Sequence, residues 1–318
     1  MKKHYYELII YFVLGTILVS MILFQYGFHD YDFPRSKYNF GATYMTMNNP
    51  YFEVMNNRMK EAIEANGDTL LTLDPALDTK KQMQQIEFLI NQNVDAIFLN
   101  PIDYNELEPA LMKAKDAGIP IIVVDAPVSN LDLVTCTIVS DNYDAGVQCA
   151  RDMMKRIDHA NIMLLEHLSA KSAVDRIDGF LDTIKGHNEY HIIDRKDCEG
   201  QIEQAFPIMQ SMLKKNPHVD VIMALNDPSA LGALAALESM NLNNVLVYGI
   251  DGTPNAKTLI EQNELTGTAA QYPLLLGDKA VEVAYQLMNH QKIEKEIILP
   301  ITLITKDNLD EFDIAGWQ

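Results

Sequence analysis

Residues 119–127 read IPIIVVDAP. An apolar run this short, ending in a carboxylate, reads as a strand buried on both faces with Asp125 at its carboxyl end. Strands of that kind belong to parallel α/β sheets, which bind ligands in the crevice outside the carboxyl ends of their strands. If other strands also end in polar side chains, those groups should converge on one place.

Outward from this stretch the chain alternates. NFGATYMTM (39–47), TLLTLD (69–74) and VDAIFLN (94–100) precede it as strands. Phe52, Met55, Met59 and Ile63 mark the inner face of a helix after the first, and helices over about 79–93 and 104–117 follow the others. TCTIVSD (135–141), NIMLLEH (161–167), YHIIDRKD (190–197), VDVIMALND (219–227), NVLVYGID (244–251) and GTAAQYP (267–273) continue the rhythm, and EIILPITLITKDN (296–308) closes it. Strands separated by helices of about 10–15 residues indicate βαβ units and parallel sheets. The expected fold is α/β, with two doubly wound lobes.

The N-terminus differs. Residues 8–24, LIIYFVLGTILVSMILF, are 17 residues without a charge, at the short end of what spans a bilayer. Lys2 and Lys3 precede the run and Asp30 and Asp32 follow it, so the positive-inside bias puts the rest of the chain outside the cytoplasm. Residues 5–27 are expected to be a single-pass transmembrane anchor in the cell membrane, with 28–37 as a linker. The alternative is a signal segment, cleaved to leave a secreted or periplasmic protein; no A-x-A-like site follows the run.

Lys+Arg number 25 and Asp+Glu 44, a net charge of −19. That balance argues against nucleic-acid binding, which requires basic surface to neutralise phosphates. The three cysteines, Cys136, Cys149 and Cys198, show no metal-ligand spacing, and the first two lie in apolar runs. No nucleophile elbow, P-loop, zinc-hydrolase or dinucleotide fingerprint occurs. The expectation is a non-enzyme with no cofactor and no metal. An extracellular hydrolase using paired carboxylates is the remaining catalytic alternative.

The strand ends carry the functional signal. Asn48 and Asn49 end the first strand, Asn100 the third and Asp125 the fourth. Asp141, Asn226, Asp227, Asp251 and Gln271 occupy later ends. Singly, an Asn or Asp here is a turn or helix cap, and Asp78 and Asp141 read as caps. As a set, the amides donate and accept while the carboxylates accept, which suits hydroxyl-rich ligands. Tyr51 and Phe52 follow the Asn pair. Arg176, at a helix start, either enters the site or pairs with Asp175 or Asp178 at the surface. His167 reads as a plain strand-end residue.

The order NNPYF, FLNP, IPIIVVDAP, IVSDN, VDRIDGF, ALND, YGIDGTP, TAAQYP and ITKDN resembles the ribose-binding branch of the periplasmic sugar-binding proteins, over about residues 38–308. These share the core fold of sugar-responsive repressors. The resemblance implies two lobes, 38–140 plus 272–299 and 141–271 plus 300–318, joined by a three-crossover hinge that closes over a monosaccharide or similar polyol. It implies sugar contacts from Asn49, Tyr51, Phe52, Asn100 and Asp125 in the first lobe. Arg176, Asn226, Asp251 and Gln271 would contact the sugar from the second lobe and the hinge, with the two aromatic residues stacking on the ring. The implied partner is an ABC-type sugar permease; the alternative is a sensor that presents its closed form to a histidine kinase or chemoreceptor. Two departures stand out. Ala126 replaces the Arg that usually follows the strand-four Asp, and Cys198 to Gly200 replace an aromatic common in the second lobe.

Overall fold

The computed structural model describes residues 14–20 and 37–318. Residues 14–20 are helical (α1), and their Leu14, Ile17, Leu18 and Val19 side chains are exposed. The chain divides into two compact units, Met1–Tyr38 and Asn39–Gln318. No helix among the described residues is long and apolar enough to cross a membrane; most of the expected anchor over 5–27, and most of the linker over 28–37, lie outside the described residues.

The second unit contains two six-stranded sheets. The first holds β1 (Asn39–Thr43), β2 (Thr69–Leu73), β3 (Ala96–Leu99), β4 (Ile121–Asp125), β5 (Cys136–Ser140) and β11 (Glu296–Leu299), in the order β11-β5-β4-β3-β1-β2, all parallel. The second holds β6 (Ala160–Glu166), β7 (Tyr190–Asp197), β8 (Val221–Ala224), β9 (Leu246–Asp251), β10 (Gly267–Ala270) and β12 (Thr302–Thr305), in the order β12-β10-β9-β8-β6-β7. It is parallel except where β12 runs antiparallel to β10. The stretch 296–308, read from sequence as one closing segment, thus splits at Pro300 into strands of different sheets. The chain passes between the sheets three times, after β5, after β10 and after β11.

Helices α2 (Pro50–Ala65), α3 (Thr79–Asn91), α4 (Glu108–Asp116) and α10 (Pro273–Met288) go with the first sheet. Helices α5 (Asn142–Arg156), α6 (Lys171–Ile184), α7 (Ile202–Lys215), α8 (Asp227–Ser239) and α9 (Pro254–Glu261) go with the second. The third helix is shorter than its 104–117 expectation. Asp103 accepts from the backbone nitrogens of Asn105 and Glu106, which holds the approach to it as a turn.

Every residue of β4 is buried, and each large aliphatic side chain there contributes roughly 1.5–3 kcal/mol relative to exposure. Its Ile121 and Val123 join a cluster with Ile86, Leu89, Ile97, Leu99 and Leu111. The second sheet builds its own core from Ile162, Leu164, Phe180, Val221, Met223, Tyr248 and Ile250. One sequence device recurs at the strand ends: polar residue, then proline. Pro50, Pro228, Pro254 and Pro273 each fall in the first two positions of a helix. Proline there lacks only a donor the helix cannot use, and its fixed φ starts the turn. The polar residue before it is therefore held at the rim of the sheet.

Candidate functional site

Eight of the nine residues singled out from the sequence line one cavity between the two sheets: Asn49, Tyr51, Phe52, Asp125, Arg176, Asn226, Asp251 and Gln271. They come from the N-termini of α2 and α8, the ends of β4 and β9, the turn after β10, and α6.

Asn100 is absent from that lining. It is fully buried, and all its bonds point inward. Its oxygen accepts from the Met45 backbone nitrogen at 3.1 Å, and its nitrogen donates to Asp125 Oδ2 at 3.0 Å and to the Val124 carbonyl at 3.3 Å. Asn100 orients the carboxylate rather than reaching the cavity.

That carboxylate sits in an unusual backbone. Asp125 has φ +69°, and the Ala126 nitrogen donates back to the Val124 carbonyl at 2.9 Å. This is a positive-φ γ-turn, a rare and strained form. Asp251, at the end of β9, has φ +141°. Strain of this sort costs about 1–3 kcal/mol per residue and persists where the surroundings over-determine it. Here it turns each carboxylate out of its strand and into the cavity.

Two buried acceptors at this place lack any partner, Asp251 Oδ2 and Gln271 Oε1, while the Tyr51 hydroxyl and the Asp125 carboxylate have each other. Their other atoms are committed. Gln271 donates to Asp251 Oδ1 at 2.8 Å. Arg176 donates from Nε to Asn142 at 2.8 Å and from Nη1 to the Leu225 carbonyl at 3.0 Å, and Nη1 lies 4.0 Å from Asp251 Oδ1. Arg176 is only 4% exposed. The surface reading does not hold, because Asp175 pairs with Lys171 instead.

Burial dominates the electrostatics. It pushes the Asp251 carboxyl well above the usual range, Asp227 raises it further, and Arg176 and the Gln271 amide pull it back. Burial also raises Asp125, against the pull of Arg176, Tyr51 and Asn100. The Tyr51 phenol is raised well above its ordinary value by burial and by the Asp125 and Asp251 carboxylates, so it stays protonated.

Asn49 and Asn226 line the cavity and are also caps. Asn49 accepts from the Tyr51 nitrogen and Asn226 from the Ser229 nitrogen, both at 3.0 Å, and Asn226 also donates to the Gly200 carbonyl at 3.0 Å. The cap reading and the site reading hold together for both. Phe52 packs at 6.1 Å from Tyr44 and 5.5 Å from Tyr51, measured between ring centroids. Asp78 and Asp141 are caps, accepting from the backbone nitrogens of Lys81 and Asp144. The three cysteines are free and buried. Ala126 is fully buried, which leaves Arg176 as the one cation among the described residues lining the cavity.

Sequence reasoning missed His167, Ser172, Glu199 and Gln201, all of which line the cavity. His167 follows β6, and Glu199 and Gln201 follow β7, so the strand-end rule could have found three of them. Burial lowers the His167 pKa, which favours the neutral ring. Its Nε2 lies 3.0 Å from Ser169 Oγ, but Ser169 does not line the cavity. Among the described residues, no cluster of His, Cys, Asp and Glu could hold a metal ion. The lining therefore offers carboxylates from Asp125, Glu199 and Asp251, side-chain amides, hydroxyls from Tyr51 and Ser172 and one guanidinium, a set that can both donate to and accept from hydroxyl groups.

A family model described as "Periplasmic binding protein domain" matches residues 40–292. The ribose import binding protein of Bacillus subtilis is 28% identical over 274 residues, covering 86% of this chain and 88% of the relative. Among solved structures, an ABC transporter solute-binding protein from Bacillus halodurans with bound myo-inositol superposes with a TM-score of 0.82 at 28% identity, covering 87% of this chain and 98% of the other. A periplasmic solute-binding protein from Actinobacillus succinogenes with bound D-allose gives a TM-score of 0.80 at 26% identity, covering 87% and 100%.

Proposed function

The chain belongs to the periplasmic binding protein family, and from that premise we propose that it captures a monosaccharide or similar polyol outside the cytoplasm and delivers it to an ABC-type sugar permease. One observation carries the reading. Asp251 Oδ2 and Gln271 Oε1 are buried acceptors without partners in one cavity, beside an Asp125 carboxylate whose only side-chain donors are Tyr51 and Asn100. Leaving such an atom unsatisfied costs about 1–3 kcal/mol, and a ligand's hydroxyl groups relieve it by donating. Hydrogen bonds to ionised carboxylates are the stronger kind. An anionic ligand would meet three carboxylates, Asp125, Glu199 and Asp251, against one guanidinium, so the ligand is neutral.

In this reading Asn49, Tyr51, Phe52, Asp125, Arg176, Asn226, Asp251 and Gln271 contact the sugar, and Asn100 acts through Asp125. Tyr51 and Phe52 offer aromatic faces to the ring. The protein has no catalytic role. The lobes are 38–140 plus 272–299 and 141–271 plus 300–318, and the three passages between the sheets form the hinge. Residues 5–27 tether the binding unit to the membrane; extraction of membranes at alkaline pH checks this, and release of the full chain into the soluble fraction would remove the anchor.

The decisive experiment is a thermal-shift screen against pentoses, hexoses and polyols. A sugar at about 100 times its dissociation constant adds about 2.7 kcal/mol of stability. The expected result is a rise in melting temperature with a small subset of sugars. No shift with any of them would sink the sugar reading.

A further inference from the structure

Beyond β12 the chain turns back, and residues 313–318 lie against the strand ends that form the cavity. Lys257 on α9 anchors them. Its side chain is 1% exposed, and its ammonium donates to the Asp313 carbonyl at 2.6 Å, the Gly316 carbonyl at 2.7 Å and Gln318 Oε1 at 3.2 Å. A lysine is almost never buried so completely unless it is paired, and here three oxygens of one segment hold it.

The other end of the Gln318 amide reaches the site. Its nitrogen donates to the Asp251 carbonyl at 3.0 Å and to the Gln271 carbonyl at 2.6 Å. These two residues carry orphaned side-chain oxygens in the cavity. One amide thus ties together the ends of β9 and β10, where Asp251 holds its strained backbone. The fit is close: a Cβ on Gly252 would lie 2.4 Å from the Gln318 nitrogen. Between the anchors, the Trp317 ring meets Tyr51 edge-on, with centroids 6.0 Å apart and planes at 62°. Tyr51 belongs to α2, which packs with the first sheet, whereas Lys257, Asp251 and Gln318's other partners go with the second sheet and the passage after β10. The segment therefore touches both halves of the cavity.

We propose that residues 313–318 belong to the binding machinery: Lys257 and Gln318 are positioning residues that hold Asp251 and Gln271, and Trp317 is the contact by which the second lobe meets Tyr51 when the cleft is closed. This rests on the reading of the cavity as a sugar site that closes over its ligand. Neither Lys257 nor Gln318 lines the cavity. They act by fixing the two acceptors before it arrives, which lowers the ordering cost of binding.

Trp317 is the single tryptophan of the chain, so its emission reports the surroundings of this segment. The experiment titrates the full chain with D-ribose, D-allose and myo-inositol, following heat by calorimetry and tryptophan emission in parallel. A sugar that gives heat is expected to change the emission. Gln318→Glu, which keeps the shape and loses the donor, and Lys257→Met each weaken that sugar by about tenfold or more. Trp317→Ala speeds its dissociation, while Trp317→Phe, which keeps an edge on Tyr51, stays within about threefold of the parent. Unchanged affinity in both positioning variants, or heat without an emission change, overturns the proposal. Hydrogen exchange on the sugar-free chain separates the two ideas. Lys257→Met is expected to speed exchange around 251–253 and 270–272, and no change there overturns the strap by itself. Absence of heat from every sugar counts against the sugar reading, and the exchange result then decides the strap alone.

Discussion

At the scale of single residues, the cavity is built against its own stability. Asp251 is buried beside Asp227 and opposite Asp125, and its pKa stands well above the usual range because burial disfavours the charge. A carboxyl whose folded pKa is raised contributes most below its unfolded value, near about 4. That contribution is lost as pH rises through the folded pKa, because the folded state must then hold an unwelcome charge. Sugar hydroxyls that donate to the carboxylate favour its ionised form, so binding releases a proton. Affinity is therefore expected to weaken as pH falls through the raised pKa of the free protein. Calorimetry in buffers of different ionisation enthalpy checks this, and a buffer-independent heat across that range would remove Asp251 from the linkage. Asp251→Asn keeps the shape without the charge. It is expected to raise the melting temperature of the free protein, by about 1–2 kcal/mol of stability, while costing most of the sugar affinity. A variant that is less stable and still binds would reverse the assignment. These side chains were legible in sequence because each follows a strand. Asn100 follows one too, yet it turns inward to Asp125. Position along the chain identifies a strand end but does not say whether the side chain faces the cavity or its neighbour.

At the scale of elements, Arg176 reaches the cavity because two helices approach unusually closely. A Cβ on Gly146 of α5 would lie 1.8 Å from the Arg176 carbonyl, and one on Gly179 of α6 would lie 2.0 Å from the Tyr143 carbonyl. The two glycines face each other's helix backbone, and Arg176 stands one turn before Gly179. This explains why sequence could not decide between a buried and a surface role for Arg176. The motif VDRIDGF shows the arginine and the glycine, but the partner glycine lies in another helix, and its meaning depends on a crossing no local pattern encodes. The strands themselves and their α/β class were legible for the opposite reason. Apolar runs such as 121–124 are buried whatever their neighbours, and βα alternation leaves few arrangements. The break at Pro300 escaped because both halves of 296–308 read as strand; proline removes the donor needed to continue one ladder, and the second half pairs with β10 instead. Gly146→Ala is expected to push α6 away from α5, destabilise the protein by about 1–3 kcal/mol and weaken sugar binding by moving Arg176. Chemical denaturation and calorimetry on the same variant test the two effects. Loss of stability with intact affinity would uncouple the helix crossing from the site.

At the scale of the whole molecule, Asp125 from the first sheet and Asp251 from the second come to one cavity. Asp125 adds to the cost of ionising Asp251, and Arg176 lowers that cost for both carboxyls. Direct bonds across the cleft include the Tyr104 nitrogen to the Ser169 carbonyl at 3.1 Å and the edge contact of Trp317 on Tyr51. On the proposed reading, the unpaired Asp251 and Gln271 oxygens find their partners in the ligand. Closure without sugar therefore desolvates acceptors for no return, and closure with sugar satisfies them. A ligand shifts such an equilibrium by its differential affinity for the two states, and here nearly all of that difference lies in groups contributed from both sides. The unit Asn39–Gln318 is expected to be more open without sugar and to contract on adding one, towards the radius of gyration of about 19 Å that a compact chain of its length adopts. Small-angle scattering with and without a sugar that registers in the thermal screen measures this. Protonating the two carboxylates removes part of the same penalty, so at acid pH the sugar-free unit should already be more compact than at neutral pH. A radius indifferent to both sugar and pH would mean that the two halves do not move, and that the unpaired oxygens are a fixed cost of the fold rather than the trigger of its closure.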